Sequence, residues 1–202
     1  MEVLKPLPIT GAMIQLKDFD KTKNKNMVER IFLDSVIKRF KEYKMLGEKT
    51  FAQLNDGEMH FQPNEESNSI AIIIQHMHGN MLSRWTNFLT EDGEKNWRKR
   101  DDEFEVHDYT KQQLIDKWNE GWKVFLDTLD SLTEHDLSKT ITIRSQPLVV
   151  ADAINGQLAH YSYHVGQIVY LGKWIKVFGW QSLSIPKQQS DQFNETLRQS
   201  RH

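Results

Sequence analysis

Cysteine is absent from all 202 residues. That absence excludes disulfides, thiolate metal ligands and a cysteine nucleophile together, so any metal must be held by His, Asp or Glu. No window approaches the roughly 18–20 consecutive apolar residues that span a bilayer. The N-terminal stretch MEVLKPLPITGAMIQLKDF is broken by Pro6 and Pro8 and has neither the apolar run nor the cleavage site of a secretory signal. A soluble, cytoplasmic protein is the expectation. Neither sign of charge is in surplus: 26 basic residues against 28 acidic ones leave a net charge of −2. Nothing there favours nucleic acid or an anionic membrane as partner. Also missing are a Gly-rich phosphate loop, a GxSxG elbow and an HExxH helix. There is no internal repeat, and the length suits one domain with tails.

What is present is helical periodicity. Residues 1–23 read as an interrupted arm lying over the domain, and residues 24–180 as the domain itself. From about residue 24 to residue 54, Met27, Val28, Ile31, Phe32, Val36, Phe40, Tyr43, Leu46 and Phe51 recur on one face of a long amphipathic helix. A second helix is expected from Ser67 or Asn68, both good N-caps, to about Leu89. Residues 90–107 form a long connection of interleaved charges, whose Trp97 and Phe104 suggest that it folds back, as a lid or a dimer contact. A third helix runs from Thr110 to Leu132. The alternation in residues 139–144, the turn Ser145-Gln-Pro and the run Leu148-Val-Val predict a small β-hairpin. The fourth helix spans about Ala151 to Phe178, and residues 181–202 form a polar tail. Trp85, Trp118, Trp122 and Trp174 are expected in the core. Four long amphipathic segments without a sheet of consequence predict an all-α, four-helix bundle, in which sites are built inward from facing helices.

The chemistry concentrates on the fourth helix. At 100° per residue Ala153, Gly156, Gln157, His160, His164, Gln167, Ile168, Leu171 and Ile175 fall in one stripe. Residues four apart have Cβ atoms roughly 5–6 Å apart, so His160 and His164 can share one metal ion. Two core histidines satisfy the same pattern, and a third ligand is what separates the readings. On the second helix His76 and His78 lie at opposite edges of the apolar side, and geometry does not choose between them. Tyr161 and Tyr163 fall off the stripe and read as packing residues.

These residues resemble the DinB/YfiT-like superfamily of metal-binding four-helix bundles over roughly residues 25–178. The resemblance is carried by the run Ser69-Ile-Ala-Ile-Ile-Ile-Gln-His76-Met-His-Gly-Asn, a hairpin, and a late helix with His160-xxx-His164-xx-Gln-Ile. The stretch Arg84-Trp-Thr-Asn-Phe-Leu-Thr-Glu-Asp-Gly-Glu-Lys95 is similar to an uncharacterised bacillus-type branch. The resemblance implies His76, His160 and His164 as metal ligands, with His78 standing where similar proteins usually carry a small residue. It implies a divalent metal, zinc or nickel by the preference of nitrogen donors. It also implies transfer of a small-molecule thiol such as bacillithiol or mycothiol to an electrophile, with the missing cysteine fitting sulfur that arrives with the cosubstrate. Asn80, Gln157 and Gln167 are candidates to orient imidazoles or a ligand, and Arg84 to bind an anionic group. A homodimer through exposed helix faces is expected. The alternatives are a metal-dependent hydrolase, and a non-catalytic ligand-binding or interaction protein whose metal staples the bundle.

Overall fold

The computed structural model describes residues 21–199, so the expected arm lies, through residue 20, outside the described residues. The chain is mostly helical, with one small antiparallel hairpin. In order come α1 (Lys21–Phe51), α2 (Asp56–Met59), α3 (Ile70–Trp85), α4 (Lys111–Ser131), β1 (Thr140–Ile143), β2 (Gln146–Val149), α5 (Val150–Ile175) and α6 (Ser190–Gln199).

Local chemistry sets most of these ends. Asn55 and Glu58 close a capping box over α2, and Thr110 and Gln113 close one over α4. The second long helix starts later than expected, because Ser69 rather than Ser67 or Asn68 supplies the cap, its hydroxyl accepting from the Ile72 N–H. It also stops at Trp85. The chain turns out through Asn87, which adopts φ 52°, while Phe88 stays buried against Trp85.

Helix α3 packs chiefly on α4 and α1 on α5, with lighter contacts between α3 and α5 and between α1 and α4. The core between them is aromatic: Phe40 meets Phe125 edge-on at 4.5 Å, and Tyr161 meets Phe125 at 5.2 Å. Such pairs add about 0.5–1.5 kcal/mol each beyond their burial. Gly47 lets α1 and α4 approach, because a Cβ there would meet the Trp118 ring at 2.4 Å. It is a packing contact within a continuous helix. Trp174, expected in the core, is corrected, and so is the start of the α1 apolar stripe. Met27, Val28 and Ile31 are more than half exposed at the start of α1, and Trp174 is half exposed near the end of α5. In both places the apolar stripe outruns the described helices that could cover it.

The hairpin sits differently from its expected register. Arg144 and Ser145 form its two-residue turn, both at positive φ (54° and 60°), and Pro147 pairs with Thr142 inside the ladder. That geometry favours Asn-Gly, and L-residues with side chains take it at some cost. A remote carboxylate offsets the cost. Asp92 accepts from the Arg144 N–H (2.9 Å), the Ser145 N–H (2.7 Å) and the Glu94 N–H (2.7 Å). These backbone donors, Glu94 and Ser145 first, hold its carboxyl at about 2. A depressed carboxyl stabilises the fold above its unfolded value of about 3.8 and loses that contribution as pH falls towards 2. Amide exchange at Arg144 and Ser145 should therefore stay protected above pH 4 and accelerate in that acid window, and Asp92→Ala should show the acid behaviour at neutral pH. Protection unchanged in the variant would contradict this anchoring.

Candidate metal centre

His76 lies mid-way along α3, while His160 and His164 lie one turn apart on α5. All three present Nε2 to one point. His160 Nε2 is 3.3 Å from His76 Nε2 and 3.1 Å from His164 Nε2, and the three ligand atoms lie within 4.8 Å of one another. For a tetrahedral ion with nitrogens at about 2.0–2.1 Å, the edge between two ligand atoms is about 3.3–3.4 Å. The spacing therefore suits one shared cation. Hydrogen bonding among the rings alone accounts for it poorly, since a single proton on His160 Nε2 can serve only one of its two neighbours.

The opposite ring edges are held as well. His76 Nδ1 lies 3.0 Å from Glu103 Oε2, His164 Nδ1 lies 2.9 Å from Gln167 Oε1, and His160 Nδ1 lies 2.6 Å from the Gln157 side-chain amide. With Nδ1–H donated to an oxygen at His76 and His164, their Nε2 atoms carry free lone pairs towards the centre; Gln157 presents its Nε2 to His160 Nδ1, and the same tautomer at His160 requires that amide to turn its oxygen there. Burial is the main cause that pulls His160 down to about 3, helped by His164, His76 and two arginines. Burial likewise pulls His164 down to about 4. Both rings are then neutral at pH 7, as a metal ligand must be.

The structure also sorts the remaining candidates. His78 points away, with Nε2 2.8 Å from Glu120 Oε2 on α4. Asn80 touches none of the three imidazoles by hydrogen bond; its Oδ1 accepts from the buried Tyr161 hydroxyl at 3.1 Å. Arg84 pairs with Glu94 at 3.3 Å. Tyr163 corrects the expectation of packing away from the site. Its ring lies 4.3 Å from that of His164 and 5.2 Å from that of His160. One side of the triad opens onto a cavity of about 490 Å³ lined by Tyr163, Phe104, Gly156 and four arginines.

Sequence reasoning missed Glu103 and Arg98. Residues 90–107 fold back onto α3, and the 3₁₀ turn Asp101–Phe104 carries Glu103 to His76. Arg98 grips the same carboxylate with Nε at 2.7 Å and Nη2 at 2.9 Å, and its side chain is only 2% exposed. Burial pushes the Glu103 carboxyl up, but the hydrogen bonds from His76 and Arg98 together outweigh it and hold the group below its ordinary value. The flanking Trp97 and Phe104 were the only sequence signal, and they said that the segment returns without saying which charge it delivers.

Gly79, one turn along α3 from His76, makes the delivery possible. A Cβ there would meet Glu103 Oε1 at 2.2 Å and its Cδ at 2.6 Å. Because Arg98 and His76 pin that carboxylate, it cannot simply swing aside. Gly79→Ala should raise the dissociation constant for zinc by about tenfold, towards the lower end of what losing an outer partner costs. Competition with a chromogenic chelator checks this, and wild-type affinity would contradict it.

Residues 27–189 match a family model described as "Protein of unknown function (DUF1572)". No curated protein matches the chain.

Proposed function

This chain belongs to the DUF1572 family of proteins of unknown function, and we propose that it is a metal-dependent transferase of DinB/YfiT-like four-helix-bundle type. In this reading His76, His160 and His164 hold one divalent cation, zinc or nickel. The observation that carries it is the convergence of three Nε2 atoms from two helices beside an open cavity. Three protein ligands with a bare fourth direction are the arrangement of catalytic rather than closed structural sites. When bound, the cation supplies Lewis acidity that favours deprotonation of a thiol or water on the bare side.

The choice of nucleophile rests on what lines the cavity. No carboxylate is among its described lining residues, Glu103 being committed to His76 and Arg98. A hydrolase needs a group to take a proton from water, whereas a thiol with an ordinary pKa of about 8.5 is far closer to ionisation. A small-molecule thiol is therefore the better fit. Its sulfur forms a bond to an electrophilic carbon, the leaving group departs with the electron pair of the broken bond, and the thiol proton passes to solvent. The chain's own part is orientation. Glu103, Gln157 and Gln167 fix the three rings, and Tyr163 packs against two of them where it lines the cavity.

The test is thiol conjugation to a chromogenic aryl halide by untagged protein loaded with zinc or nickel. The reading expects turnover that chelation abolishes, that His164→Ala lacks and that His107→Ala retains. Stoichiometric metal without turnover above the metal-free rate, across neutral and anionic thiols, would overturn the transferase and leave a metal-stapled binding protein.

A further inference from the structure

The cavity beside the triad is lined by Arg84, Arg98, Arg100 and Arg144, and by no carboxylate among the described residues. These arginines come from three separate elements: α3, the returning segment 90–107 and the hairpin turn. Their countercharges do not balance them. Glu103 is committed to Arg98. Glu94 Oε2 is shared among Arg144 Nε (3.1 Å), Arg84 Nη2 (3.3 Å) and Arg98 Nη1 (3.7 Å). Arg100 stacks over Phe104 at 5.1 Å and reaches only the fully exposed Asp101, at 3.9 Å. Three carboxylates, one of them fully exposed, thus serve four guanidinium groups, and imidazoles add no negative charge.

One donor is left over in a specific place. The Arg84 side chain is 13% exposed, and its Nη1 is buried with no hydrogen-bond partner. A buried guanidinium edge without an acceptor is costly, so this side chain, which lines the cavity, keeps donor capacity that its protein partners leave unused. Arginine's planar fork suits carboxylate and phosphate alike. A concave site of one sign also concentrates its counter-ion.

We propose that Arg84, Arg100 and Arg144 form the receiving site for an anionic group on the small molecule that reaches the three histidines, so that the substrate or thiol cosubstrate carries a carboxylate or phosphate. This rests on the metal reading above. It goes beyond that reading by assigning the charge of the ligand and the residues that select it. Arg84 supplies a mostly buried guanidinium and Arg144 an exposed one, carried on the turn that Asp92 anchors.

The experiment uses the full chain loaded with cobalt(II), whose visible spectrum reports thiol binding without turnover. Two probes are titrated, mercaptosuccinate and the neutral 2-mercaptoethanol. Mercaptosuccinate is expected to bind about tenfold or more tightly, since charge-assisted hydrogen bonds are the stronger kind. That preference should shrink about tenfold in Arg84→Gln and again in Arg144→Gln, with 2-mercaptoethanol affinity and cobalt content unchanged. Displacement by malonate or by inorganic phosphate tells which anion the site prefers. Equal affinity for the two thiols, or a preference that both variants leave intact, would overturn the arginine site while sparing the metal reading. Failure to take up cobalt would sink the metal reading and this proposal with it.

Discussion

His160→Ala should purify without metal under conditions where the wild-type protein holds one equivalent. His160 Nε2 is the atom nearest both other rings, so its removal leaves His76 and His164 as two isolated nitrogens. Losing an outer partner of a ligand costs about 10–100-fold in affinity. Losing a ligand outright must exceed that, and a reduction beyond about 100-fold is expected. His78→Ala is the control, because that ring pairs with Glu120 and contributes nothing to the triad. Stability gives a second readout. A ligand that binds only the folded state contributes about 4 kcal/mol at 1,000 times its dissociation constant. Chelation should therefore lower the unfolding free energy of the wild type by several kcal/mol and leave His160→Ala unmoved. Equal metal content in the two proteins, measured by elemental analysis on untagged material, would contradict the site.

Replacing Glu103 should have two separable effects. In Glu103→Gln the amide still fills the space beside Gly79, but its charge no longer faces His76 Nδ1 and Arg98. Zinc affinity is expected to fall about 10–100-fold, the usual consequence of losing a carboxylate that orients a ligating histidine. In Glu103→Ala the Arg98 guanidinium also loses its bidentate partner while its side chain stays almost wholly buried, leaving only Glu94 at 3.7 Å. Removing one partner of a buried pair costs about 3–5 kcal/mol, and Glu94 should hold this case near the lower figure. Denaturant unfolding of the metal-free proteins isolates the stability effect, and chelator competition isolates the affinity effect. An Ala variant as stable as the wild type would mean that the returning segment is held by its apolar contacts alone.

Periodicity made the long helices legible, because an apolar stripe that keeps 3.6-residue spacing over several turns fits a helix and no other regular structure. Caps sharpened the ends where a side chain has one plausible backbone partner, as Thr110 does on α4. The same signal failed at Met27, Val28, Ile31 and Trp174. A stripe states which side of a helix is apolar, not whether another element extends far enough to cover it. The hairpin turn slipped by one position for a related reason. Its positive φ angles are stabilised by Asp92, some fifty residues earlier in the chain, and nothing in the residues around Arg144 discloses that carboxylate.

The site was legible in proportion to how local it is. His160, His164, Gln157 and Gln167 lie within a few turns of one helix, so their shared face follows from the angle per residue. His76 needed the pairing of α3 with α5, and the choice over His78 came from resemblance. Glu103 and Arg98 were hidden in a run of charges that resembles a solvated loop. Their burial depends on a specific return path, on Gly79 leaving room and on each neutralising the other.

Transfer chemistry, anion selection and the roles of Glu103 and Gly79 all depend on where a cation sits. Crystals of untagged protein loaded with zinc, measured on both sides of the zinc absorption edge, should give one strong anomalous peak about 2.0–2.1 Å from Nε2 of His76, His160 and His164. That peak should have the arginine-lined cavity on its remaining side. A map with no peak there, or with the ion held by His78 or by surface carboxylates, would contradict the three-histidine centre.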